Sequence, residues 1–189
     1  MTAPTTPSAR AAPMEPARPR RRVPDAVMDA IVTAAWFAVS GLVGAVVWWQ
    51  VVDLPSVTKT GDAAALDPTE LVTQVAVDGW YFVVAVLGGM LGGVVLVAWR
   101  RRDPLLMVVL VVLGGGLAAW LMLRVGLALG PGDELTALRG RPDGTAVRVQ
   151  LELQAIGMAW IWPMSAAFGA LVQLWVLRKP DTSAGDPID

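Results

Sequence analysis

Hydrophobic positions along this chain gather in four long runs, residues 27–49, 79–99, 105–127 and 156–177, with almost no charge inside them. The polar segments between them differ greatly in length. Residues 50–78 and 128–155 are long, whereas only Arg100, Arg101, Arg102, Asp103 and Pro104 separate the second run from the third. A run of about 21–23 residues reaches roughly 31–35 Å as a helix, enough to cross a hydrocarbon core of about 30 Å. The first run exceeds the ~7–15 apolar residues of a secretory signal, so it reads as an uncleaved anchor. The pattern predicts an all-α membrane protein: a four-transmembrane-helix bundle over residues 26–178, with a small α/β cap built from the two long loops.

Local signals sharpen the element boundaries. Asp103 can cap the third span and Pro104 can take its first position, where a missing N–H costs nothing. The three arginines cannot enter hydrocarbon. The short turn is therefore expected to hold spans two and three side by side. Asp67-Pro68-Thr69-Glu70 is a helix-start signature. Leu71, Val72, Val75 and Ala76 then follow on one helical face, in a helix that either runs into span two or lies along the membrane surface. Ser56–Thr60 is a short strand candidate. Residues 147–153 alternate apolar and polar as a half-buried strand does, with helix as the rival reading. The two strands could pair in a small sheet. Pro163 falls inside the fourth run and predicts a kink or an irregular first turn there.

Charge supplies the orientation. Lys and Arg number five in the N-terminal arm, three in the short turn and two in the tail; the two long loops hold four, against nine acids. Basic residues mark the cytoplasmic side, so both termini and the short turn are expected in the cytoplasm and both long loops outside, in a multi-pass plasma-membrane protein. Residues 1–25 carry six prolines and few large apolar side chains, and residues 179–189 are polar; both are expected to be disordered. Arg18, Arg20, Arg21 and Arg22 read as a membrane-proximal anchor for anionic lipid, and no nucleic-acid partner is expected. Asp25 and Asp29 suit the positive end of the first helix.

Composition narrows the chemistry. The chain of 189 residues has a mean hydropathy of +0.56 and neither Cys nor His. The usual general base near neutral pH, the commonest metal ligand and the thiolate nucleophile are therefore missing. Ser40, Ser56 and Ser165 have no histidine to activate them, no phosphate-loop or zinc motif occurs, and the acids of the long loops lack EF-hand spacing. No catalytic residue, cofactor or metal is expected, and the chain is read as a non-enzyme.

Three groups of residues remain as candidates. Gly88, Gly89, Gly92 and Gly93 form two overlapping GxxxG patterns, and Gly114, Gly115 and Gly116 lie in the next span. Small residues let helix backbones approach, either between protomers or within one chain; the second is the reading taken, with spans two and three packing on each other. Trp48, Trp49, Trp80, Trp160 and Trp162 at the outer ends, with Trp99 and Trp175 at the inner ends, make an aromatic belt. Trp36 and Trp120 lie deeper, as packing residues. Arg124 is the one Lys or Arg within an apolar run, which is a functional-site hypothesis by default. Trp120 stands four residues earlier on the same helical face, and Asp78 and Glu152 flank the outer surface as partners. Arg124 is expected to face the bundle interior or its outer mouth. There it either binds an anionic headgroup or substrate, or snorkels to the interface or makes a structural ion pair.

Over residues 26–177 the chain resembles a family of actinobacterial four-span membrane proteins known only as a domain of unknown function. The resemblance rests on Leu54-Pro55, Val57-Thr58-Lys59-Thr60-Gly61-Asp62, Asp78-Gly79-Trp80-Tyr81-Phe82, Pro142-Asp143-Gly144-Thr145 and Trp162-Pro163. It implies a plasma-membrane location and transfers no catalytic residue. The functional expectation is an accessory or scaffold subunit of a cell-envelope complex, with a membrane-protein partner or a second copy of itself beside the lipid bilayer. The alternative is a small lipid- or ligand-binding or transport protein using an outer-leaflet groove near Trp120 and Arg124.

Overall fold

The computed structural model describes residues 23–60, 63–66, 68–100 and 103–177. The expected disorder of residues 1–22 and 179–189, the side chains of Arg101 and Arg102 and the Asp67 cap all lie outside the described residues. Four helical segments are long and apolar enough to cross a membrane. They comprise α1 (Val23–Val51), α2 (Pro68–Trp99), α3 (Pro104–Leu129) and, last, α5 (Ile161–Leu177) with a 3₁₀ turn over Ile156–Trp160 leading into it. A one-turn helix, α4 (Glu134–Leu138), follows α3.

Helix α1 begins at Val23, inside the stretch expected to be disordered. Pro24 falls in its first turn, where proline is tolerated. Helix α2 joins the amphipathic segment after Pro68 to the second span in one helix of 32 residues, about 48 Å long, so its first turns rise beyond the bundle. Asp103 caps α3, its carboxylate accepting from the Leu106 N–H at 3.2 Å, with Pro104 in the first turn. Pro163 occupies the third position of α5, where no intrahelical N–H bond is lost. The irregularity it imposes is taken up in the preceding 3₁₀ turn.

The packing order corrects one expectation. α2 lies mainly against α5, and α3 against α1 and α5; α2 and α3 share only a minor contact despite the short turn between them. A turn fixes which helix ends are close, whereas small residues fix which faces meet. An added Cβ at Gly89 or Gly93 would strike α5 at Trp162, Ser165, Ala166 or Ala170, and one at Gly169 would strike the α2 backbone at Met90. Gly41 meets the Ala118 backbone in the same way, and Gly115 meets Pro163. Other glycines make slots for rings. Phe37 lies over Gly92 and Gly114, Trp162 over Gly88, and Trp48 over Gly126. These rings are wholly buried and, with Tyr81, Met107 and Met122, form the core.

At one end of the bundle sits an antiparallel sheet in the order β2 (Ala63–Leu66), β1 (Ser56–Thr60), β3 (Ala146–Arg148). The pairs Thr60↔Ala63 and Ser56↔Arg148 fix its register. β2 has no strand signal in its three alanines; it forms by pairing in a hairpin with β1. The alternating stretch expected as one strand over 147–153 pairs only through Arg148. Val149 still donates to the Pro55 carbonyl at 2.9 Å. Beyond it the extended chain turns down toward the helices, burying Leu151 and Leu153 in the bundle core while Glu152 stays exposed. The period-two pattern thus marks the buried face correctly, but its partner changes from a strand to the helices. α4 packs near β2 and β3, and Leu138 joins Val57, Val149 and Val147 in a second, small core.

Candidate functional site

Arg124 lies five residues before the end of α3 at Leu129, at the sheet end of the bundle. Its side chain is exposed, and it lines a cavity of about 190 Å³ with Leu123, Leu127, Leu151, Glu152 and Ile156. One wall is α3; the other is the extended segment running into the 3₁₀ turn. Glu152 brings a carboxylate into the same cavity, yet no ion pair or hydrogen bond joins it to Arg124 or joins either group to any other residue among those described. A guanidinium and a carboxylate therefore share one groove with their hydrogen-bonding capacity unspent.

Trp120 departs from its expected role. It is 55% exposed, and it faces a second cavity of about 240 Å³ with Gly116, Leu123, Ala159, Trp160 and Pro163. Leu123 borders both cavities, so the charged groove and an apolar trough lie next to each other along α3. Nothing lies within 4 Å of a Cβ built on Gly116, which leaves the trough floor open. No stacking of Arg124 on Trp120 occurs. The cation–π contact that forms is Arg100 over Trp99, at 5.6 Å.

Asp78 is not in the groove. It is buried on α2, and its two carboxylate oxygens accept from the backbone N–H groups of Gln154 (3.1 Å) and Ala155 (3.0 Å). These N–H groups stand at the start of the 3₁₀ turn, where a carboxylate satisfies donors that a helix beginning leaves unpaired. Asp78 therefore holds the segment that carries Leu153 and Ile156 into place. It positions the groove wall from behind.

Two belt tryptophans are core residues. Trp48 is wholly buried, donates its indole N–H to the Val77 carbonyl at 2.9 Å and meets Tyr81 edge-on, with ring centroids 5.5 Å apart. Trp162 is 1% exposed and its indole N–H points at the Met122 sulfur, 3.4 Å away. Trp49, Trp80, Trp99, Trp160 and Trp175 do face outward.

At the other end of the bundle the structure adds a polar cluster. The Arg100 guanidinium donates to Asp29 at 2.6 Å, and Asp29 is only 3% exposed. One and two turns deeper on α1, the Thr33 hydroxyl and the Trp36 indole N–H are buried with no hydrogen-bond partner among the described residues. Asp29, expected with Asp25 among the acids near the positive end of α1, sits in its second turn and takes Arg100 as partner instead. The signal was available: an acid that far inside an apolar helix requires a partner, and the arginines of the short turn lie at the same end.

No three metal-ligating side chains come together among the described residues. No protein-family model, curated protein or solved structure matches the chain.

Proposed function

We propose that the protein is a multi-pass plasma-membrane protein that binds a lipid, or a molecule built like one, in an outer-leaflet groove between α3 and the start of the fourth span. One observation carries this reading. Among the described residues Arg124 and Glu152 have no partner, and the groove they share lies beside an apolar trough. An ionisable side chain on a membrane span is costly without a partner or water, and an amphiphile offers both a polar head and an apolar continuation. The distribution of Lys and Arg supports an orientation with both termini in the cytoplasm and the sheet outside. The short motifs around Pro55, Trp80, Gly144 and Trp162 support kinship with the actinobacterial four-span proteins. The role proposed is one of binding, in a chain with neither His as a general base nor Cys as a thiolate nucleophile. Native mass spectrometry of the protein extracted in mild detergent tests the reading. Wild type is expected to retain lipid and Arg124→Ala to lose it; equal retention by both would end the proposal.

A second role, as an accessory or scaffold subunit of a cell-envelope complex, is favoured by the sheet. β2 and β3 are its edge strands, and an open edge is a template for pairing with another chain. Crosslinking before gentle purification is expected to capture a partner or a second copy; recovery of the protein alone would count against this role.

A further inference from the structure

Resting on the lipid-groove reading, we infer that the groove selects a zwitterionic phospholipid of the phosphoethanolamine type, with its phosphate on Arg124 and its ammonium on Glu152. The argument begins with the charges. A groove holding one guanidinium and one carboxylate has no net charge, so an anionic headgroup gains attraction from Arg124 and repulsion from Glu152 at once. A headgroup carrying both signs gains from each. Phosphate offers a guanidinium two oxygens at once, and a primary ammonium offers a carboxylate three N–H donors, which a quaternary ammonium lacks. Neither protein group has an internal partner to give up among the described residues, so binding replaces water contacts alone.

The apolar part of the same molecule has a place. Leu123 borders both the charged groove and the trough, whose walls are Trp120, Trp160 and Pro163 over the open floor at Gly116. The trough runs from Arg124 back along α3 toward mid-span, the direction in which an acyl chain descends from a headgroup at the interface. Exposed Trp160 stands at the start of the fourth span, where amphipathic rings border headgroup and chain, and exposed Trp120 lies deeper, along the path of the acyl chain. Asp78 keeps the opposite wall fixed through Gln154 and Ala155.

The test offers the purified full-length protein equal amounts of phosphatidylethanolamine and phosphatidylglycerol with identical acyl chains, with bound lipid counted by native mass spectrometry. Wild type is expected to favour phosphatidylethanolamine on the order of tenfold, the worth of one charge-assisted hydrogen bond. Glu152→Gln should erase that preference while still binding lipid, and Glu152→Lys should turn it toward phosphatidylglycerol. Arg124→Gln should weaken both lipids. Both side chains are exposed, so the variants should unfold at the wild-type temperature. Wild type binding both lipids equally, with Arg124→Gln still weakening them, would overturn the zwitterion assignment and leave the lipid groove standing. Unchanged binding of both lipids to Arg124→Gln would overturn the two together.

Discussion

Asp29 is 3% exposed on a helix otherwise made of apolar residues, and its charge is met by Arg100 at 2.6 Å. Removing Asp29 leaves the Arg100 guanidinium, about a quarter exposed, without its carboxylate, which is costlier than removing both. Asp29→Asn is expected to lower stability by about 2–4 kcal/mol, read from unfolding in a titration with a denaturing detergent. The double variant Asp29→Asn/Arg100→Gln should recover part of that loss; a strictly additive double variant would contradict the pairing. Arg100 is thus more than a topological charge, because it ties the end of α2 to α1. At the level of single side chains the sequence was only partly legible. Trp48, Trp120 and Trp162 show why. On a helix that is apolar all round, core-facing and lipid-facing positions have the same composition, so depth along the span says nothing of which way a ring points. Trp48 and Trp162, at the span ends where a belt is expected, are buried, while Trp120, deep enough to suggest packing, is exposed. The better guide is the glycines across the bundle, since the buried rings of Phe37, Trp48 and Trp162 each lie over one.

Those glycines also decide which helices pair. Gly93 of α2 sits against the Ala166–Ala170 backbone of α5, whereas Gly116 of α3 faces open space. Gly93→Leu must push two backbones apart and is expected to cost about 2 kcal/mol or more. Gly116→Leu should leave stability at or slightly above wild type, since glycine is a poor helix residue, but should fill the trough and reduce lipid retention. Comparing the two variants by thermal unfolding and native mass spectrometry separates a packing glycine from a groove glycine. Loss of stability in Gly116→Leu would mean that this face is covered in the assembled protein. Phe37, held between Gly92 and Gly114, should cost roughly 3 kcal/mol when cut to alanine. The four helices long and apolar enough to cross a membrane are plain in the sequence, because length and apolarity suffice to predict them. Their neighbour relations were hidden, since a five-residue turn constrains ends while the pairing depends on contacts among residues far apart in the chain. The short strand pair of β1 and β3 was visible through its alternation; β2 was hidden because its alanines owe their strand state to β1.

For the molecule as a whole, the groove depends on two segments separated by the sheet-end loops: α3 brings Arg124 and the stretch before the fourth span brings Glu152. The sequence singled out both residues but also Asp78, which the fold uses to clamp that stretch in place. A buried clamp and an exposed ligand group look alike in a list of charges near a span end; they differ only in what lies across from them. The functional reading further requires the sheet, Arg124 and Glu152 to face the outer leaflet. Since the chain has no cysteine of its own, a single cysteine at Asp143, exposed in the turn before β3, can report this with a membrane-impermeant maleimide on intact cells. A second variant with the cysteine at Ser183 serves as the opposite face. Labelling of Asp143→Cys in intact cells, with Ser183→Cys labelled only after lysis, is the predicted result. The reverse pattern would put the groove on the cytoplasmic leaflet and contradict the account.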